Sequence, residues 1–393
     1  MQRVAVFNWG ELSIHTYYLV QQLHKEGISI DLFIYTPNYA YTRSYLTVLL
    51  EELKEKINVI EIKAGRVESY VIKLNRVTNL FKSHSPIICI NPFLPAKTKT
   101  KFNSSSYNHV ITVKQSSLYW LYKTDPACLV KTIHYSLEIE KITDPVIAPR
   151  SCLAKLIKEE QTILPHVKAL IIQDRPRAEA LLNCTAEETP LKLVYIPVSV
   201  PGCTITFKEN YLYRRLKIPT DKKIILYYGG IFQDRRVREL IEVGEDLSSN
   251  EFVLVMHGED DFSGLIRDKE KVKSSNEMVA YDQIYKVIAS ATIGIAFYDN
   301  GWPNTRLTAF SSEKVARYLQ AGVPFIAYRN ESYLKLQAEF MCCELVEELK
   351  ELEGAINKIM VNYNDYRRQS YEAYEKYYNI ESNIKPLVNF IQS

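Results

Sequence analysis

No stretch of this 393-residue chain is apolar over the roughly 18 residues that a membrane-spanning helix needs. Met1-Gln2-Arg3 runs at once into the strand-like Val4-Ala5-Val6-Phe7, so no secretory signal is expected. Cysteine is scarce and unpatterned. The seven residues (Cys89, Cys128, Cys152, Cys184, Cys203, Cys342, Cys343) are an odd number without a CxxC pair, which predicts reduced thiols in a cytosol. The same pattern speaks against a disulfide scaffold and a zinc site. An excess of one charge is missing too, since a net +3 is too small to imply a nucleic-acid partner. No HxH, DxD or His/Cys cluster suggests a bound metal. A phosphate loop of the G-x-x-x-x-G-K type, a nucleophile elbow, short repeats and low-complexity tracts are all absent from the sequence.

What is present is a globular composition, 47% hydrophobic and 24% charged, with length enough for two ordinary domains. Val4–Phe7 predicts a strand, Ile14, Tyr18, Leu19 and Leu23 a helix that stops at Gly27, and 28–35 a second strand. That βαβ order predicts a parallel sheet with a right-handed crossover. Further strand-like runs lie at 59–62, 87–90, 110–113, 131–134, 169–172 and 192–197. After Val198-Ser199-Val200-Pro201-Gly202 the pattern restarts: strands at 223–230, 252–258 and 293–298, helices at 236–247 and 281–288. Two doubly wound halves meeting near residue 200 predict a ligand cleft between them, at the carboxyl ends of the strands. The segment from about Leu352 to Ser393 reads as helical and tyrosine-rich.

The most informative segment is Ser311-Ser312-Glu313-Lys314-Val315-Ala316-Arg317-Tyr318-Leu319-Gln320-Ala321-Gly322-Val323-Pro324. Hydroxyl residues open a helix, Ser312 can cap it, and Ala-Gly-x-Pro ends it and launches a strand. Such a helix start offers unpaired N–H groups and a positive dipole end to an anionic phosphate, and Lys314 adds a cation. An ordinary well-capped αβ unit has the same local pattern.

In order and spacing, Ser312, Lys314, Tyr318, Ala321, Gly322 and Pro324 resemble the donor-binding element of retaining, glycogen-synthase-like nucleotide-sugar glycosyltransferases. The resemblance implies the GT-B fold: an α/β chain of two Rossmann-like doubly wound parallel-sheet domains facing an interdomain cleft. It places the acceptor-side domain at 1–200, the donor domain at 201–370, and at 371–393 a terminal helix crossing back to the first domain. Many relatives carry two glutamates eight residues apart on this element, where this chain has Ala309 and Arg317.

What else the resemblance implies follows residue by residue. The donor's diphosphate is held by the turn Gly229-Gly230, by Arg235 standing for a family lysine, and by Ser311, Ser312 and Lys314, with Glu313 as the ribose candidate. Glycines after a strand let backbone N–H groups approach a phosphate, and Arg235 offers a bidentate grip. His257 and Tyr281 lie on loops that enclose the base. In Thr132-Ile133-His134-Tyr135, His134 matches a histidine that contacts the transferred sugar, and a group titrating near neutrality suits a polarising role. Glu138 is expected in the first turn of a following helix, either orienting substrate or only favouring the dipole. Gly10 and Glu11 stand where relatives have a Gly-Gly loop, and His15 matches a histidine one turn into the helix. Asp174, before Arg175 and Arg177, fits an acceptor-facing loop and a helix N-cap equally well.

The expected activity is transfer of a sugar from a nucleotide-diphosphate donor to a hydroxyl acceptor, with retention, without a metal or other cofactor, in the cytoplasm. A pI near 8.3 permits weak contact with an anionic membrane face. Alternatives are a sugar-nucleotide epimerase on the same fold and an inactive partner subunit, the latter favoured by Ala309 and Arg317.

Overall fold

The computed structural model describes residues 2–10, 12–36, 44–63, 94–145, 147–148, 151–230, 236–258, 263–266, 269–276 and 279–393. The predicted strand at 87–90, Cys89, Glu11 and Arg235 lie outside them. The chain divides into two compact units, Met1–Ile196 with Ile384–Ser393, and Pro197–Asn383.

The first unit is a seven-stranded sheet in the order β3-β2-β1-β4-β5-β6-β7. Its strands are β1 (Arg3–Trp9), β2 (Ser29–Thr36), β3 (Asn58–Lys63), β4 (His109–Val113), β5 (Thr132–Tyr135), β6 (Ala169–Ile172) and β7 (Lys192–Tyr195). Every pairing is parallel. The central strands are buried on both faces, which is why they read as near-continuous apolar runs. One face closes over Phe7, Phe33, Phe102 and Trp120, with Phe7 stacked on Phe33 at 4.8 Å. The last helix, Lys385–Gln392, belongs to this unit: Lys385 pairs with Glu26 at 2.8 Å, and Phe390 lies against His109.

The second unit is a six-stranded parallel sheet, β10-β9-β8-β11-β12-β13. It comprises β8 (Lys223–Tyr228), β9 (Phe252–His257), β10 (Val272–Ser275), β11 (Ile293–Ile295), β12 (Phe325–Tyr328) and β13 (Cys343–Val346). The edge strands β10 and β13 are absent from the sequence reading. The predicted helix at 281–288 is a 3-10 turn, Tyr281–Gln283, running into the short helix Ile284–Ile288. The helix Tyr363–Tyr377 stays with this unit, because the Tyr374 hydroxyl donates to Val200 O at 3.1 Å and the Tyr378 hydroxyl to Ala309 O at 2.9 Å.

The helix Glu313–Gln320 ends as its sequence predicts: Gly322 takes φ +62°, and a Cβ there would lie 2.3 Å from Tyr371 Cζ. Tyr318, fully buried, locks this helix to the sheet. Its hydroxyl donates to Leu226 O at 2.8 Å and accepts from Tyr228 N at 3.2 Å. Tyr318→Phe leaves those strand-end groups short of a partner, and an unfolding titration should show a loss of about 1–3 kcal/mol.

The all-thiol expectation fails at one position. Cys128, Cys184, Cys203, Cys342 and Cys343 are free, but Cys152 is disulfide-bonded. Among the described residues no helix is long and apolar enough to cross a membrane.

Candidate functional site

In the second unit the sheet order reverses between β8 and β11, whose carboxyl ends therefore flank the crevice where open α/β sheets receive ligands. β8 leads into Gly229-Gly230, and β11 into Phe297-Tyr298. The helix Glu313–Gln320 starts at this end, N-capped by Ser312, whose hydroxyl accepts from Val315 N and lies 2.8 Å from the Tyr298 hydroxyl. Lys314 is only 5% exposed. Its ammonium sits over the ring of Tyr227 at 4.4 Å and that of Tyr298 at 5.1 Å. Two aromatic faces pack against the cation in a site of low dielectric, where its charge acts more strongly than in water. Sequence reading missed Tyr227 and Tyr298. The signal was the tyrosine at the end of each of two strand-like runs.

The next turn of the same helix carries a second cluster. Arg317 Nε donates to Glu313 Oε1 at 3.0 Å, the Tyr281 hydroxyl donates to the same carboxylate, and the Arg317 guanidinium lies 4.5 Å above the Tyr281 ring. One face of Tyr281 is thus covered by a side chain, and Glu313 is fixed rather than free-swinging. Ala309 is fully buried, and its N–H donates to Ser332 Oγ at 3.2 Å.

Other expected donor contacts need correction. Gly229 takes φ +140°, but its N–H donates to His257 O at 2.9 Å, so it serves the sheet end rather than a phosphate. The Gly230 carbonyl accepts from the Tyr227 hydroxyl at 2.7 Å. His257 is buried, with Nδ1 3.0 Å from Ser275 Oγ. The Ser311 hydroxyl donates to Leu307 O. Arg236, at the start of the predicted helix 236–247, pairs with Glu239 at 2.8 Å on the surface.

In the first unit, His134 is fully buried and both ring nitrogens are engaged, Nδ1 with Thr112 Oγ1 and Nε2 with the buried Glu160, each at 2.9 Å. It therefore stitches β4, β5 and the helix Cys152–Ile163 together instead of meeting a sugar. Glu138 is not in a helix: residues 136–141 are irregular. Arg177 holds that segment from beneath, fully buried, donating to Leu137 O at 3.0 Å and Gln173 Oε1 at 2.6 Å. Asp174 caps the helix Arg175–Leu182, its carboxylate accepting from Arg177 N at 2.9 Å. Gly10, at φ +83°, donates to Tyr35 O, and His15 lies in the first turn of the helix Ile14–Lys25.

Glu140 stands out among these carboxyls. Burial, then the charges of Glu138 and Glu160, push it up to about 7 against the pull of Lys114. Because the folded value lies above the ordinary 4.5, ionising Glu140 costs the fold nothing below that pH and progressively more up to about 7. Glu140→Gln should therefore unfold at higher denaturant than the parent at pH 8 and at the same concentration at pH 4.

No protein-family profile matches the chain, and no curated protein does. Solved structures do match over its whole length. Sucrose-phosphate synthase from Thermosynechococcus elongatus is 13% identical, with a TM-score of 0.70 over 100% of this chain and 98% of that one. Anabaena HepE in complex with UDP-glucose is 9% identical, with a TM-score of 0.69 over all of both chains. A glycosyltransferase from Rickettsia africae is 12% identical, at 0.68 over 100% of this chain and 98% of that one. At these identities the likeness is one of architecture, and the architecture is GT-B: two parallel-sheet α/β units of seven and six strands.

Proposed function

We propose that the chain is a glycosyltransferase that takes a sugar from a nucleotide-diphosphate donor, with the diphosphate at the start of the helix Glu313–Gln320. The observation that carries this reading is the buried Lys314 ammonium, held between Tyr227 and Tyr298 beside the Ser312 cap, at the switch point of the second sheet. A cation preorganised in a dry site stabilises charge as it develops on a departing diphosphate, without reorganisation at the moment of reaction. HepE, of the same architecture, is seen with UDP-glucose, which supports a uridine donor. Glu313, oriented by Arg317 and Tyr281, takes the ribose hydroxyls in place of a glutamate at position 317.

In this reading the sugar goes to a hydroxyl acceptor with retention, and Lys314, Arg235 and the helix dipole supply the charge that would otherwise call for a metal. We place the reaction in the cytoplasm. Isothermal calorimetry of the full chain against UDP, GDP, ADP and their glucose conjugates tests the proposal. Saturable binding of one base, followed by sugar release to an added acceptor, is expected. Binding of none would overturn it, and donor consumption with a changed sugar and no acceptor would make the protein an epimerase.

A further inference from the structure

The first unit has a switch point of its own, between β1 and β4. Asn8 pairs with Val113 in register, so the turns after the two strands leave the sheet side by side. Both turns use left-handed backbone, Gly10 at φ +83° and Lys114 at φ +65°. Trp9 N donates to Ser117 Oγ at 2.9 Å, tying the end of β1 to the first turn of the helix Lys114–Thr124. Among the described residues, a Cβ built on Gly10 would meet nothing within 4 Å.

That 11-residue helix begins without a side-chain cap. Its first N–H groups and positive dipole end face the crevice, and Lys114 adds an ammonium. The independent observation is Gln115. It is 6% exposed, and its carboxamide nitrogen is buried with no hydrogen-bond partner among the described residues. A side chain at the second helical position leans back over the helix start, which puts two unspent N–H bonds beside the same opening. Buried donors of this kind are costly unless something accepts from them.

We propose that the turn from β4 into the helix Lys114–Thr124 is an oxyanion site of the first unit, taking a phosphate or carboxylate group carried by the acceptor. That the bearer is an acceptor rests on the glycosyltransferase reading; the oxyanion site itself does not. Glu140 interacts electrostatically with Lys114, and Glu138, Glu160 and Asp144 share its surroundings.

Inorganic sulfate, doubly charged at pH 6, is the probe. Titrated into the 15N-labelled full chain at pH 6, it is expected to shift the amides of Lys114, Gln115 and Ser116 saturably. Gln115→Leu, which removes the stranded donor, and Lys114→Gly, which accepts positive φ without strain, should each weaken binding about tenfold while the remaining spectrum is unchanged. Shifts that do not saturate, or equal affinity in both variants and the parent, mean an adventitious ion only and overturn the proposal. Displacement of sulfate by saturating UDP overturns it too, since the anion would then be the donor's. Absence of UDP binding with the sulfate response intact would instead count against the glycosyltransferase reading alone.

Discussion

Lys314→Ala should lower the affinity for the nucleoside diphosphate by roughly 10- to 100-fold and leave the protein folded. A charge-assisted hydrogen bond to a phosphate oxygen contributes about 1.5–3 kcal/mol, and each 1.4 kcal/mol is about a factor of ten. The fold should tolerate the change because Ser312 still caps the helix and Tyr318 still locks it to the sheet. Lys314→Met, which keeps the stem between the rings, should lose the same affinity and keep the melting point more closely. Calorimetry with UDP on the three proteins, beside thermal unfolding without ligand, separates charge from packing. Wild-type affinity in both variants would move the donor away from this helix.

Gly294→Ala should destabilise the second unit by about 1–3 kcal/mol or more, because overpacking a closed core forces side chains off their rotamers and shifts backbone. Gly294 lies on β11 directly under the ring of Tyr318, and a Cβ there would stand 2.5 Å from Tyr318 Cδ2. Tyr318 cannot simply rotate away, since its hydroxyl is spent on Leu226 O, Ile295 O and Tyr228 N. The helix must rise, carrying Ser312 and Lys314 with it. Two losses are expected together: an earlier chemical unfolding transition and weaker nucleotide binding in the protein that remains folded. Weaker stability with unchanged binding would mean that the helix start does not depend on this packing.

How far the sequence could be read follows from where its signals are local. The alternation of apolar runs with amphipathic helices fixes two parallel sheets, because buried parallel strands must be apolar on both faces. The start and stop of the helix Glu313–Gln320 were legible for the same reason: a serine cap and a glycine at φ +62° act within one turn. The edge strands were not. Val272-Lys-Ser-Ser and Cys343-Glu-Leu-Val are four residues each, too short to show an apolar run, and the first is mostly polar.

The sites divide likewise. Lys314 could be picked from its place near a helix start, but its aromatic cage joins residues 227, 298 and 314, which only the sheet brings together. His134 looked like a sugar contact because it ends a strand. Its partners Thr112 and Glu160 come from other elements, and they turn it into a core residue. Gln115 carried no signal at all, since an unsatisfied amide is invisible until burial is known.

The most direct test of the account is a crystal structure of the full chain with its preferred nucleotide-diphosphate sugar bound. The account predicts a diphosphate oxygen at about 2.7–3.1 Å from Lys314 Nζ, with the other oxygens at the Ser312 cap and the helix's first turn. A diphosphate bound in the second unit away from that junction, with Lys314 still enclosed by Tyr227 and Tyr298 and touching no phosphate, would contradict it.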